Sequence, residues 1–96
     1  MQNDYLQVMI DVIKHNGYKM QTMVAIEEMS ELTKELVKFM RGEANTDAIA
    51  EEIADVEIML HQLKIIYGIK DEVIEKHKII KLNRLKERME EKKDNG

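Results

Sequence analysis

Apolar residues along this chain recur three and four positions apart, in stretches punctuated by glycine. That spacing predicts amphipathic α-helices, because about 3.6 residues complete a turn and side chains three, four and seven apart share a face. Asn3 can cap a first helix running to about Asn16, where Gly17 supplies a stop. A second helix is predicted from about Lys19 to Arg41, ending at Gly42. The stretch "GEANTD" is the one clear polar loop, and Thr46 or Asn45 can cap the third helix. That helix carries Ile49, Ile53, Val56, Met59, Leu60, Leu63 and Ile66, and stops at Gly68. A fourth starts near Asp71 and fades into "EEKKDNG", whose last residues, 93–96, are expected to form a frayed charged tail. No strand period rises above the helical one.

Short connections between helices imply antiparallel neighbours, so the expected fold is all-α, a four-helix bundle in a single domain over residues 1–92. Composition agrees. The 96 residues include no Pro and four Gly, and Leu, Ile, Met, Glu and Lys dominate. A domain of this size buries only about 60–70% of its unfolded surface. Long apolar helices on so short a chain therefore invite oligomerisation.

Charge and residue usage exclude several functions. A net charge of −4 and 4% aromatic residues suit neither phosphate-backbone binding nor base stacking, so no nucleic-acid partner is expected. Without cysteine, neither a disulfide framework nor a thiolate metal site is possible. Apolar runs fall far short of the roughly 18 residues that cross a bilayer, so no membrane partner is expected. No signal-peptide pattern opens the chain, which makes a cytoplasmic location the default expectation.

The acids are less ordinary. "AIEEMSEL" (25–32) and "AEEIADVE" (50–57) each place a carboxylate three residues before another: Glu28 with Glu31, and Glu52 with Asp55. Ala48, Ile49, Asp55, Val56 and Met59 share a face with Glu52, which puts it within the apolar stripe. Glu28 has Val24 and Leu32 one turn to either side, and Glu31 and Asp55 lie at the edges of their stripes. A solvated helix face accounts for Glu27, Glu35, Glu51 and Glu57 but fits Glu52 badly. Burying an unpaired carboxylate is costly. Like charges about 4 Å apart repel by roughly 4 kcal/mol at an effective dielectric near 20.

Should the two helices pack antiparallel through these stripes, four acids converge, with neither Lys nor Arg expected on that face. Protonation relieves part of the strain and a divalent cation relieves all of it. An all-oxygen set suits Mg²⁺, Mn²⁺ or Ca²⁺ rather than Zn²⁺, and Mg²⁺ usually meets its substrate through phosphates.

Two acidic pairs, phrased "EEMSEL" and "EEIADV" on consecutive helices with a short polar loop between them, resemble the MazG-like family. That family belongs to the all-α nucleoside triphosphate pyrophosphohydrolases, with the dimeric dUTPases and phosphoribosyl-ATP pyrophosphohydrolases. The resemblance is strongest from about Gln21 to Leu63. It implies hydrolysis of a (deoxy)nucleoside triphosphate between its α and β phosphates, giving the monophosphate and pyrophosphate. It also implies Mg²⁺, or Mn²⁺ in its place, on Glu28, Glu31, Glu52 and Asp55, and a homodimer or homotetramer. Glu31, at the stripe's edge, is the expected catalytic base.

Substrate contacts are expected from the later helix, where "KHKIIKLNRLKER" offers Lys78, and where Lys81 and Asn83 stand closest to the family's Lys and Asn. A solvated basic face accounts for any one of them equally well. Gln21, two turns before Glu28, is a further candidate for touching substrate, beside a purely structural hydrogen bond. The Trp often seen in the family's base-binding region is missing, with Tyr18 or Tyr67 as stand-ins, so the base preference stays open.

His15, His61 and His77 lack a Glu three residues earlier, which excludes a ferritin-like di-iron pattern. The eight Met are read as core filling. Two rival functions remain: a catalytically silent helical module that oligomerises or binds a protein, and a phosphoribosyl-ATP pyrophosphohydrolase. The first explains the apolar helices but not the acids within their stripes.

Overall fold

The computed structural model describes residues 3–95, with side chains for residues 4–92. It contains four helices: α1 (Asn3–Asn16), α2 (Tyr18–Met40), α3 (Thr46–Tyr67) and α4 (Asp71–Asn95). No strand occurs among the described residues. The expected tail at 93–96 continues α4 as far as Asn95, while Gly96 and the Asn3 side chain lie outside what is described.

The helix ends follow from local chemistry. Asn45 caps α3, its side-chain oxygen accepting the Ala48 N–H at 3.0 Å, so of the two candidates Asn45 does the capping. At the other end Gly68 takes φ 61°, ψ 35°, a left-handed conformation that a side chain disfavours. The Ile69 N–H reaches back to Lys64 O at 2.9 Å and the Gly68 N–H to Ile65 O at 3.4 Å, which satisfies the last carbonyls of the helix.

α2 and α3 form an antiparallel hairpin, and α1 lies across it, touching both. Among the described residues the buried ones are Met9 of α1, Gln21 and Ala25 of α2, and Met59 and Gln62 of α3. Two of those five are amides. The Gln21 Nε2 donates to Gln62 Oε1 at 2.8 Å, and Asn16 Nδ2 donates to Gln21 Oε1 at 2.8 Å. A buried amide pair of this kind pins one helix against the other, because sliding either helix leaves a polar group unsatisfied.

The four helices are consistent with the expected all-α bundle, of which α4 is the least packed member. It does not lie back along α3, despite a connection of only Gly68–Lys70. Lys64 Nζ pairs with Asp71 Oδ1 at 2.8 Å across the corner, beyond which α4 projects outward. The molecule consequently has a radius of gyration of 17.3 Å, where a compact chain of this length has about 12.5 Å. A physical reason is legible in α4 itself. Its charges are spread around the whole helix, so no wide apolar face draws it onto the hairpin.

Candidate metal centre

The Gln21–Gln62 bond sets the register from which the site follows. Seven residues along each helix from that bond, two turns or about 10.5 Å, stand Glu28 on α2 and Asp55 on α3. In the same antiparallel register Glu31 falls opposite Glu52. The hairpin thus sets the four acids of the two sequence phrases level with one another.

Three of them meet. Glu28, Glu52 and Asp55 each offer a carboxylate oxygen, and these oxygens all lie within 4.8 Å of one another. Glu28 and Glu52 are half-buried and Asp55 is exposed, so the cluster is seated between the helices and open on one side. Glu31 is exposed at the edge and contributes no oxygen to the trio, although its charge still acts on Glu28 and Glu52.

Electrostatics records the crowding. Burial raises the Glu28 carboxyl above its ordinary value of 4.5, and the charges of Asp55 and Glu52, a hydrogen bond with Asp55 and the charge of Glu31 push the same way. Glu52 is raised from 4.5 by burial first, then by Asp55, Glu31, Glu35 and Glu51. The principal influences on both groups all act in the same, raising direction. Glu52 Oε2 is sealed from solvent with no hydrogen-bond partner, and no other buried side-chain oxygen or nitrogen among the described residues lacks one.

Glu35 corrects the sequence reading. It was expected on a solvated face, yet only 18% of its side chain is exposed. It lies seven residues after Glu28, on the same face, and its charge acts on Glu52. A cation also reaches this side after all, since Lys38 Nζ pairs with Glu35 Oε1 at 3.3 Å. The seven-residue spacing was the available signal for Glu35. Gln62, seven residues after Asp55, was legible in the same way and mirrors Gln21.

The other candidates stand elsewhere. Gln21 is 3% exposed and its amide is engaged at both ends by Asn16 and Gln62, so its hydrogen bonds are structural. Lys78, Lys81 and Asn83 are exposed on α4, with no hydrogen bond or ion pair to the acids. Tyr18 and Tyr67 are exposed at the far end of the hairpin, about 15 Å or more along the helices from the acids. There the Tyr67 hydroxyl bonds Thr22 Oγ1 at 2.8 Å. The hollow beside Asp71, Glu75, Ile79 and Ile80 is one flank of the unpaired α4 and holds none of this chemistry.

The donor set fits a hard divalent cation. Three carboxylates from two helices supply oxygens only, a set that suits Mg²⁺, Mn²⁺ or Ca²⁺ alike and leaves positions for water or phosphate. With one oxygen sealed and unpartnered, Glu52 is the carboxylate of the three that most lacks a counter-charge. Comparisons with protein-family models, curated proteins and solved structures return no match for the chain.

Proposed function

We propose that this chain is a Mg²⁺-dependent nucleoside triphosphate pyrophosphohydrolase of the MazG-like kind, producing a nucleoside monophosphate and pyrophosphate. One observation carries the reading: the carboxylates of Glu28, Glu52 and Asp55 converge from two helices, with a Glu52 oxygen buried and unpartnered. Structural acids are ordinarily solvated or paired with cations, and the sealed Glu52 oxygen is neither.

In this reading Glu28, Glu52 and Asp55 hold the cation, which supplies charge neutralisation to phosphate oxygens and to the pyrophosphate leaving group. Glu31, exposed at the lip, accepts the proton of the attacking water. Lys78, Lys81 and Asn83 belong to the proposal as triphosphate contacts. Because α4 does not lie on its own chain's acids, they serve only if α4 changes position or a neighbouring copy presents them. The active assembly is a homodimer or homotetramer.

Exposed apolar side chains on α1, α2 and α3 favour a second reading, a helical interaction module without catalysis. It leaves the convergent acids without a purpose. A panel of ribo- and deoxyribonucleoside triphosphates with phosphoribosyl-ATP, incubated with Mg²⁺ and assayed for pyrophosphate, separates the two. Pyrophosphate release that Glu52→Gln abolishes supports the enzyme. Direct release of orthophosphate contradicts α–β cleavage, and a folded chain inert toward the whole panel favours the module.

A further inference from the structure

A polyphosphate at the acidic cleft needs a protein cation as well as a metal ion, because carboxylates and phosphates carry the same sign of charge. α4 carries its lysines away from the cleft, so the hairpin's own cations come first. Among the described residues of the hairpin, 18–67, five are Lys or Arg: Lys19, Lys34, Lys38, Arg41 and Lys64. Helical geometry sorts them. Around α2, Lys38 stands within roughly 60° of the direction shared by Glu28, Glu31 and Glu35, while Lys19, Lys34 and Arg41 stand roughly 90° or more away. Arg41 instead lines a hollow with Thr33, Leu36, Val37 and Met40. Lys64 lies roughly 150° around α3 from its acids, and Asp71 engages it.

Lys38 does not simply point into solvent. Its Nζ turns back along α2 and donates to Glu35 Oε1 at 3.3 Å. Glu35 is largely buried, and its charge acts on Glu52. It stands about 6 Å along α2 beyond Glu31, the acid level with Glu52, and about 10.5 Å beyond Glu28. The ammonium thus sits at the loop end of the seam whose middle holds the three converging carboxylates.

The pair is loose. Its 3.3 Å separation exceeds the distance of a tight charge-assisted bond. Lys38 remains 43% exposed, and Glu35 engages one of the three donors an ammonium offers. So exposed a pair is worth little and yields readily to a more highly charged anion.

We infer that Lys38 binds the terminal phosphate of the substrate, so that the phosphate chain runs from Glu28, Glu52 and Asp55 toward the loop end of the hairpin. This rests on the pyrophosphohydrolase reading and gives the substrate a direction. The nucleoside then lies toward the Gln21–Gln62 bond. Between the trio and Lys38 lie one to two helical turns, which a single phosphate does not bridge and a chain of phosphates does. The contact comes from the same copy that holds the acids and needs no change in α4. Glu35 keeps the ammonium in place when phosphate is absent.

Calorimetric titration of the intact chain, first with Mn²⁺ alone and then with inorganic triphosphate on the Mn²⁺-loaded protein, tests this. The wild type is expected to bind both. Lys38→Met is expected to bind triphosphate roughly tenfold or more weakly, for the loss of one charge-assisted contact. It is expected to bind Mn²⁺ alone no more weakly than the wild type, because a positive charge has left the neighbourhood of the acids. Lys38→Arg is expected to keep most of the triphosphate affinity, and Lys34→Met, off this face, all of it. Parallel loss of Mn²⁺ and triphosphate binding in Lys38→Met marks a structural role and overturns the inference. Triphosphate binding by Lys38→Met at the wild-type level overturns the inference alone. A wild type that binds Mn²⁺ but no triphosphate overturns the pyrophosphohydrolase reading with it.

Discussion

Glu52 is where the energetics of single residues is sharpest. Its oxygen is sealed without a partner, and burial and neighbouring acids raise its carboxyl, as they do that of Glu28. The sign of the consequence is fixed by linkage. A carboxyl raised in the folded state holds its proton there at a pH where the unfolded chain has released it, so metal-free stability falls as pH climbs above about 4.5. Asp71 is lowered from 3.8, chiefly by its bond with Lys64, so its contribution is lost only in more acidic solution and does not confuse this window.

The metal-free protein is therefore expected to melt at higher temperature as pH is lowered from neutral toward the ordinary Glu value. Glu52→Gln is expected to melt above the wild type at neutral pH, with a flatter pH dependence. Thermal melts followed by circular dichroism in the presence of chelator give both quantities. A variant that melts lower than the wild type at neutral pH removes the idea of charge strain.

At the scale of the elements, the register of α2 against α3 decides where every acid lies. The Gln21–Gln62 bond sets it, and Glu28 and Asp55 follow two turns away. Gln62→Leu alone strands the Gln21 amide in a buried position and is expected to cost about 1–3 kcal/mol. Gln21→Leu with Gln62→Leu is expected to cost less than the two single changes added together, since neither amide is then left alone. Urea unfolding of the four proteins measures this, and strict additivity would show that the bond does not couple the helices.

The helix ends were legible in the sequence because Gly17, Asn45 and Gly68 each act locally. The convergence of acids was legible because Glu52 sits among apolar neighbours on its own helix. Glu35 was not read correctly, since its burial depends on how α2 lies against α3, although its spacing from Glu28 hinted at it. The position of α4 was beyond local rules, because a three-residue connection permits a helix to fold back or to project.

For the molecule as a whole, the three packed helices form a small scaffold whose main product is one acidic cleft. The scaffold buries few side chains completely, and two of the five are the amides that hold the register. Its stability is thus tied to whatever neutralises the cleft. The claim that a dication does the neutralising is the centre of this account. It is tested most directly by titrating Mn²⁺ into the protein near neutral pH and following the electron paramagnetic resonance signal of the free ion. The wild type is expected to deplete that signal, with Mg²⁺ restoring it, and Glu52→Gln to deplete it far less. A wild type that leaves the signal unchanged, or a variant that binds as well as the wild type, contradicts the account.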